Sequence, residues 1–396
     1  MRVGIDIRAI GYQRTGDETY TLQLIKALGK LDIENQYFLY TDVIKKEELV
    51  KIKKIISIKK DNFKIISVTP RSKIFWTMYS LPKRAKKDKL DILHVQYITP
   101  FFLTRKIKLI TTVHDISFAR YPEFINKLDR FIFKLLFKLS LKKADKIIAV
   151  SHFTKNEIID IYNINTKKIK MIYNGGAARE FSQKITEENV LNFKRKYGII
   201  KTYLLYLGTL QPRKNIPFLI KSFVALKVKY QNDEKIQGLS LVLRGNKKGH
   251  NYDTKIDRIL KGIQKKYPKI FRDIKIIDYI SNEELPLIFK GAEAFCFPSI
   301  YEGFGLPLLE SMTVGTPVVF SSSSCFPEIA ANAGIIYEAD NYNDLVNKIK
   351  KLLSSNIIQK RIIDEGFRRA KFFSWEKNAQ QTIDLYKNIL NKKDNK

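Results

Sequence analysis

The amino-acid sequence predicts an α/β protein made of two doubly wound, Rossmann-like domains that face a cleft. Short apolar stretches alternate with helical patterns along most of the chain, which is typical of a mainly parallel sheet. The alternation stops near Gly175 and Gly176 and then begins again. The 396 residues, 44% of them hydrophobic, are enough to fill two cores. We therefore predict domains at 1–178 and 179–373, followed by a final helix and a tail at 374–396.

The candidate strands are the short apolar stretches. In the first domain they lie at 2–7, 36–40, 64–68, 91–95, 108–113, 145–150 and 169–173. In the second domain they lie at 202–208, 239–245, 274–280, 292–298, 316–321 and 334–337. The polar stretch from Asn174 to about Ile200 lacks sheet character, so we place the linker there. The last helix is predicted from Ser374 to about Leu390.

The strong positive charge raises the question of a partner. The formal net charge is +32 and the sequence pI is about 9.8. The block from Lys51 to Lys89 holds 13 basic residues, against only Asp61 and Asp88. An anionic membrane surface, an anionic lipid carrier and nucleic acid all fit such a block. A solvated basic face without a partner is a further possibility.

Several functional classes lose support. No apolar run approaches the ~18 residues of a membrane span, and the first residues show no signal-peptide pattern, so we expect a cytosolic protein. Cys296 and Cys325 are the only cysteines, too few for a disulfide framework or a thiolate metal site. The first turn matches neither the dinucleotide-binding glycine pattern nor the P-loop. No recognised nucleic-acid motif accompanies the charge, so nucleic acid is not an expected partner.

The stretch 297–320, FPSIYEGFGLPLLESMTVGTPVVF, predicts a strand, a glycine turn, a short helix and a second strand. Pro307 suits the start of the helix, and Gly315 suits the position after its end. Backbone amides at a helix N-terminus bind phosphate. Carboxylates accept hydrogen bonds from sugar hydroxyls, so Glu302 before the turn and Glu310, predicted in the first helical turn, indicate a nucleotide-sugar pocket. Alternatively, both glutamates only cap the helix. The predicted amide donors belong to Gly303, Phe304, Gly305 and Leu306.

Charged residues also follow two other predicted strands. Arg213 and Lys214 come after the strand at 202–208 and suit a diphosphate clamp, although an exposed basic turn is the alternative. His114 comes directly after the strand at 108–113. Carboxyl ends of parallel strands face the ligand, so His114 is a better candidate than His152, while a structural histidine remains possible.

The chain resembles the family 4 glycosyltransferases of the GT-B group, which are retaining enzymes that use nucleotide sugars. The resemblance runs nearly end to end. It rests on Glu302 and Glu310, eight residues apart within 297–319, and on four further stretches: GTLQPRKNIPFLIKSF at 208–223, VHDISFARYPEFI at 113–125, SNEELP at 281–286 and FSWEKNAQQTIDLY at 373–386. It implies a last helix that crosses back to the first domain.

The resemblance also implies roles for individual residues. Arg213 and Lys214 would bind the donor diphosphate, and Glu310 would bind the ribose hydroxyls. Glu302 would contact the transferred sugar, and His114 would stand beside the reacting carbon. The family is thought to react by front-face substitution through an oxocarbenium-like transition state. We expect no cofactor and no metal, since no D-x-D triplet occurs in the chain.

One turn departs from the family pattern. Relatives carry a glycine-rich turn where this chain has Arg14, Gly16, Asp17 and Glu18 within RTGDETY. The two acids would repel a diphosphate, so we expect Gly16 to allow close approach of the donor without direct phosphate binding there. A regulatory, acceptor-side or capping role is open for Asp17 and Glu18.

The predicted function is transfer of a hexose, mannose or glucose, from a GDP- or UDP-sugar to a lipid-linked or surface-polysaccharide acceptor. A sugar-nucleotide epimerase of the same fold and a basic nucleic-acid-binding or scaffold protein are the alternatives. Five cations within 71–90 sit beside apolar residues, as in proteins that bind anionic membrane surfaces. They indicate a peripheral protein on the inner face of the cell membrane, and are Lys83, Arg84, Lys86, Lys87 and Lys89.

Overall fold

The computed structural model describes residues 1–11, 16–69, 72–124, 127–247, 249 and 251–391. The chain divides into two compact units. Unit 1 is Met1–Gly175 with Phe373–Lys396, and unit 2 is Gly176–Phe372. Each unit has one parallel sheet with helices between its strands, so the predicted fold class is confirmed. The turn residue Arg14 and the start of the basic stretch at Arg71 lie outside the described residues.

Unit 1 contains a seven-stranded sheet in the order β3-β2-β1-β4-β5-β6-β7. All neighbouring strands are parallel, with Ile5 opposite both Leu39 and His94. Most strand residues are buried, as expected for a parallel sheet. The strands are β1 Arg2–Asp6, β2 Gln36–Thr41, β3 Phe63–Ser67, β4 Ile92–Gln96, β5 Lys108–Val113, β6 Lys146–Ala149 and β7 Ile169–Met171.

The helices of unit 1 connect these strands. Helix α1 carries Asp17 and Glu18 in its first turn and Lys30 in its last, which suits the helix dipole. The helices are α1 Gly16–Leu31, α2 Lys46–Ile56, α3 Lys73–Phe75, α4 Leu81–Lys87, α5 Ser117–Arg120, α6 Lys127–Lys143 and α7 His152–Tyr162. A π-helical turn, Trp76–Ser80, joins α3 to α4, and short 3₁₀ turns lie at Pro122–Phe124 and Thr166–Lys168.

Unit 2 contains a six-stranded parallel sheet in the order β10-β9-β8-β11-β12-β13. Strands β8 and β11 lie next to each other although they are far apart in sequence, with Leu205 opposite Phe295. The strands are β8 Thr202–Leu207, β9 Leu239–Arg244, β10 Ile274–Ile277, β11 Ala294–Phe297, β12 Val318–Ser321 and β13 Ile335–Tyr337.

The helices of unit 2 begin inside the stretch that was predicted to be a linker. Helix α8 starts with a capping box formed by Thr186 and Asn189. The helices are α8 Glu187–Lys196, α9 Ile216–Lys229, α10 Glu234–Gln237, α11 Lys255–Lys266, α12 Pro268–Phe271, α13 Leu285–Lys290, α14 Leu306–Thr313, α15 Phe326–Ala330, α16 Tyr342–Leu353 and α17 Asn356–Phe372. Short 3₁₀ turns lie at Arg179–Ser182 and Pro212–Lys214.

The last helix, α18 (Trp375–Asn391), belongs to unit 1 and packs along α1. The start of α18 makes close contacts with Tyr173 and Gly175, at the end of the segment Met1–Gly175 of unit 1. Asn378 donates a side-chain hydrogen bond of 2.7 Å to the carbonyl of Tyr173. The indole of Trp375 lies so close to Gly175 that a Cβ there would be 2.3 Å from its ring. Position 175 therefore requires glycine.

No helix in the described part of the chain combines the length and apolar character that crossing a membrane demands. Cys296 in β11 and Cys325 before α15 are both buried.

Candidate functional site

The site residues predicted in the second domain gather at one point of the unit 2 sheet. The chain leaves β8 toward β9 on one side, and it leaves β11 toward β12 on the other. Loops after such neighbouring strands diverge and leave a crevice at the carboxyl end of the sheet. The loop 208–215 follows β8, and the segment 298–305 follows β11. The amide of Ile300 donates to the carbonyl of Arg213 at 2.8 Å and ties the two together.

Local backbone geometry explains how the first loop presents its cations. Pro212–Lys214 forms a 3₁₀ turn that ends at Asn215, which has a left-handed φ of 54°. Asparagine tolerates this conformation better than most residues. The amide of Asn215 donates back to the carbonyl of Pro212 at 3.0 Å. The turn therefore holds Arg213 and Lys214 in fixed positions before α9 begins at Ile216.

Glu302 lies between these two cations. Arg213 Nη1 donates to Glu302 Oε2 at 3.0 Å and to the carbonyl of Tyr301 at 3.0 Å. Lys214 Nζ donates to Glu302 Oε1. Lys214 and Glu302 are each only 8% exposed. Two cations and one carboxylate leave the cluster with a charge of +1 when all three groups are ionised.

The cations control the ionisation of Glu302. Burial raises the pKa of this carboxyl, but the charges of Lys214 and Arg213 outweigh burial and hold the pKa below its usual range. The backbone amide of Glu302 donates to Ser324 Oγ at 2.7 Å, which fixes the residue from the other side. A buried, charged carboxylate held in one orientation can accept hydrogen bonds from a ligand's hydroxyl groups.

The glycine turn after Glu302 begins α14 as the sequence predicts. Gly305 has a φ of 83°, which favours glycine, and Pro307 lies in the first turn of the helix. Gly315, with a φ of 76°, follows the end of the helix. Phe304 is buried and Leu306 is half-buried.

The expected position of Glu310 was wrong. Because α14 begins at Leu306, Glu310 is its fifth residue and lies in the second turn, and the first turn contains no acidic residue. Glu310 is also buried, with 5% of its surface exposed. Gly305, the N-cap, supplies no side-chain cap. The simple interpretation that both glutamates cap this helix therefore does not fit.

His114, the other predicted catalytic residue, lies in unit 1 just after β5. Its Nε2 lies 3.1 Å from Gln96 Oε1, at the end of β4, and 4.0 Å from Asp17 Oδ1. Its ring packs edge-on against Tyr20, with 4.7 Å between the ring centroids. Burial lowers the pKa of His114 more than Asp17 and Asp115 raise it. The imidazole is therefore neutral at pH 7.

The start of α1 shows why two acidic residues are tolerated there. Glu18 is buried, and its Oε1 accepts a hydrogen bond of 2.9 Å from the amide of Gly11. Asp17 keeps 43% of its side chain exposed. A Cβ at Gly16 would meet no heavy atom of the described chain within 4 Å. Packing does not require glycine at position 16.

The five cations predicted to face a membrane lie on and just after α4. Lys83, Lys86, Lys87 and Lys89 are exposed. Arg84 differs, because it is half-buried and its Nε donates to Asp88 at 2.8 Å. Among the neighbouring apolar residues, Trp76 is fully buried, whereas Ile74 and Tyr79 are 62% and 52% exposed. Four lysines and two apolar side chains of the stretch 74–89 are thus exposed, and we call these six residues the α4 surface.

The sequence did not reveal how the site residues are supported. Gln96 ends β4, but its contact with His114 depends on β4 and β5 being neighbours. The pairing of Glu302 with both cations likewise depends on the contact between β8 and β11. Ser324 gave no signal at all, since serines are common in loops.

Two family models match the chain. The model described as "Glycosyltransferase Family 4" matches residues 14–176, and the model "Glycosyl transferases group 1" matches residues 191–369. The O-antigen chain mannosyltransferase B of Escherichia coli is 28% identical over 394 residues, covering 98% of this chain and all of that protein.

Solved structures with similar folds cover nearly the whole chain. A glycosyltransferase from Rickettsia africae aligns with a TM-score of 0.73 at 21% identity, and the alignment covers 98% of each chain. HepE from Anabaena, solved in complex with UDP-glucose, aligns with a TM-score of 0.73 at 14% identity, over 98% of this chain and 100% of HepE. These similarities show the GT-B fold.

Proposed function

Because this chain belongs to the glycosyltransferases that the group 1 and family 4 models describe, we propose that it moves a hexose from a nucleotide sugar to a glycan or lipid-linked acceptor with retention of configuration. Mannose, from GDP-mannose, is the favoured sugar, since the relative from E. coli is named a mannosyltransferase of the O-antigen chain. The observation that carries the proposal is the buried cluster of Arg213, Lys214 and Glu302.

The cluster suits a leaving nucleoside diphosphate. Negative charge develops on the diphosphate as the glycosidic bond breaks, and preorganised cations stabilise that charge without reorganising. Arg213 can give a forked contact, and Lys214 a point charge. Both are already fixed by Glu302, so little side-chain entropy is lost when the diphosphate binds. The amides of Gly303, Phe304, Gly305 and Leu306 would add donors beside them.

The carboxylates receive separate roles in this proposal. Glu302 would accept hydrogen bonds from hydroxyls of the transferred hexose, and Glu310, in the second turn of α14, from the ribose. A double displacement would need a carboxylate nucleophile and a second carboxyl ~5 Å away across the sugar. Glu302 is already bound by two cations, which makes it a poor nucleophile. We therefore favour front-face substitution, in which the departing phosphate accepts the acceptor's proton.

His114 fits this chemistry in its neutral form. An oxocarbenium-like transition state carries positive charge on the sugar, and a protonated imidazole beside it would raise the barrier. The lowered pKa of His114 avoids this repulsion. Gly16 would leave room for the donor at the start of α1. In this mechanism the diphosphate would be stabilised by Arg213, Lys214 and the backbone amides at the start of α14.

We also propose that the protein works at the inner face of the cell membrane. Lys83, Lys86, Lys87 and Lys89 would attract anionic headgroups, with Ile74 and Tyr79 beside them. A lipid-linked acceptor would be met at that surface. Arg84, already paired with Asp88, would contribute less.

The experiment that tests the proposed reaction follows the anomeric configuration of the product. The protein is incubated with GDP-mannose or UDP-glucose and an undecaprenyl-linked saccharide acceptor, and the new linkage is examined by NMR. A new α-linkage from the α-configured donor supports retention. A β-linkage would contradict it, and conversion of the donor to an epimer without acceptor would favour the epimerase alternative.

A further inference from the structure

Contacts at both the nitrogen and the oxygen of its amide group hold the side chain of Gln96 in one orientation. Its Nε2 donates to Thr21 Oγ1, and the hydroxyl of Thr21 donates in turn to the carbonyl of Asp17 at 2.7 Å. Thr21 is buried, with 2% of its surface exposed. Because the amide nitrogen of Gln96 is directed to Thr21, its oxygen is directed to His114. The Gln96 side chain can only accept a hydrogen bond at that end.

An acceptor opposite His114 Nε2 determines which ring nitrogen carries the proton. An amide oxygen cannot donate, so at 3.1 Å it pairs only with a protonated Nε2. His114 is neutral, and a neutral imidazole has one proton. That proton is therefore on Nε2, and Nδ1 is left as the acceptor of the ring.

The backbone at Gln96 is itself unusual. The next residue, Tyr97, has a φ of 55°, in the left-handed region that aromatic residues rarely occupy. The amide of Ile98 donates to the carbonyl of Gln96 at 2.7 Å and closes a strained three-residue turn around Tyr97. Strained turns of this kind persist where the surrounding structure enforces them, and they cluster at functional sites.

We infer that Gln96, oriented by Thr21, is a positioning residue that holds neutral His114 in the Nε2–H tautomer. The position of the proton on His114 follows from the contacts of Gln96 alone. The consequence rests on the proposed function: Nδ1 would offer a lone pair to a hydroxyl of the bound sugar or acceptor. Gln96 itself touches His114 and no reacting atom.

The groups around His114 determine how a substitution at Gln96 would change the protonation of its ring. Asp17 on α1 and Asp115 after β5 favour the protonated ring, whereas burial disfavours it. Tyr20 packs edge-on against the ring, Tyr97 lies 5.6 Å away between ring centroids, and buried His94 lies beyond. A carboxylate in place of the Gln96 amide would add a third negative charge at hydrogen-bond distance.

The test combines NMR of ¹⁵N-histidine with kinetics. In the full-length protein, His114→Gln assigns the resonances, and we expect Nε2 to be the protonated nitrogen. Gln96→Leu removes the acceptor, so Nε2 and Nδ1 should share the proton. Gln96→Glu should raise the pKa of His114 and move the acidic limb of the pH profile to higher pH. Gln380→Glu, an exposed glutamine on α18, is the matched control and should change neither.

Measurements of activity separate the claim that Gln96 sets the tautomer of His114 from the claim that His114 takes part in the reaction. We expect kcat to fall in Gln96→Leu with little change in KM for the donor, and by less than the ~10²-fold to 10³-fold that loss of a direct transition-state contact costs, because Gln96 acts only through His114. An Nε2–H tautomer that persists in Gln96→Leu overturns the inference. A tautomer that changes while kcat stays constant supports the inference and contradicts the role of His114 in the proposed reaction.

Discussion

Arg213 Nη1 lies 3.0 Å from Glu302 Oε2, although 88 residues separate the two in the chain. The same nitrogen also donates to the carbonyl of Tyr301, so the guanidinium is fixed by a side chain and by the backbone. Removing one member of a buried ion pair leaves the other uncompensated, which is costly. Variants that keep the shape of the cluster are therefore more informative than truncations.

Glu302→Gln should separate binding from turnover. The change raises the charge of the cluster from +1 to +2, and it replaces one of the two acceptor oxygens proposed for the sugar hydroxyls with an NH₂ donor. We expect the free nucleoside diphosphate to bind at least as tightly, while kcat falls ~10²-fold to 10³-fold. Calorimetric titration with GDP and UDP and a transfer assay would measure both.

A suitable control is Asp273→Asn, since Asp273 also lies between two cations of unit 2, Lys201 at 2.6 Å and Lys227 at 3.0 Å, but directly precedes β10 at the amino end of the sheet. It should affect neither quantity. Weaker nucleotide binding in Glu302→Gln, with turnover intact, would contradict the division of roles between Glu302 and the two cations.

Gly175→Ala should destabilise unit 1 because the new methyl group would lie 2.3 Å from the Trp375 ring. Overpacking of this kind typically costs about 1–3 kcal/mol. Gly262→Ala is the matched control, since a Cβ at this exposed position in α11 would meet no heavy atom of the described chain within 4 Å. It should stabilise the protein by roughly 0.5–1 kcal/mol. Thermal unfolding of both variants checks the prediction, and equal melting temperatures would refute it.

The fold was largely predictable because buried parallel strands are short apolar stretches that can be read directly from the sequence. The candidate residues Arg213, Lys214, Glu302 and His114 were predictable as chemical types at strand ends. Their partners were not, because the sequence does not show which strands are neighbours. The error at Glu310 has a local cause, since the left-handed Gly305 starts α14 one residue earlier than Pro307 indicated.

Acid should destabilise the protein partly through His94. Burial, with a smaller effect of His114, lowers the pKa of His94 to about 3, and its ring bonds Tyr386 and Thr112 at 2.7 Å each. Between pH 6.5 and 3 the unfolded chain binds a proton at His94 that the folded chain does not. The free energy of unfolding should therefore decrease as pH falls, by up to about 1.4 kcal/mol per pH unit for this group.

Urea unfolding at pH 7, 6 and 5 measures this dependence. In the His94→Gln variant, the free energy of unfolding should decrease less steeply as pH falls, whatever the stability of the variant at pH 7. The exposed histidine variant His152→Gln should keep the slope of the parent protein. If His94→Gln and the parent lost stability in parallel on acidification, buried neutral His94 would not be the cause.

The exposed lysines of the α4 surface should bind anionic vesicles. Each basic residue near such a surface contributes about 1 kcal/mol, and salt screens the attraction. Changing Lys83, Lys86, Lys87 and Lys89 to Gln should reduce co-sedimentation with phosphatidylglycerol vesicles at low salt. Four exposed lysines of unit 2 give a control of equal charge change: Lys261, Lys265, Lys266 and Lys269. Equal losses in the two variants would mean that net charge, and not the α4 surface, binds the vesicles.

The most direct measurement of the central claim is transfer of radiolabelled mannose from GDP-mannose to a lipid-linked acceptor by the parent protein and by Arg213→Ala/Lys214→Ala. Circular dichroism and the melting temperature first establish that the variant is folded, because it leaves Glu302 buried without its cations. The account predicts transfer by the parent, and in the variant a loss of at least ~10²-fold in kcat/KM, with weaker binding of GDP. Undiminished transfer by the folded variant would contradict the assignment of this cluster to the donor diphosphate.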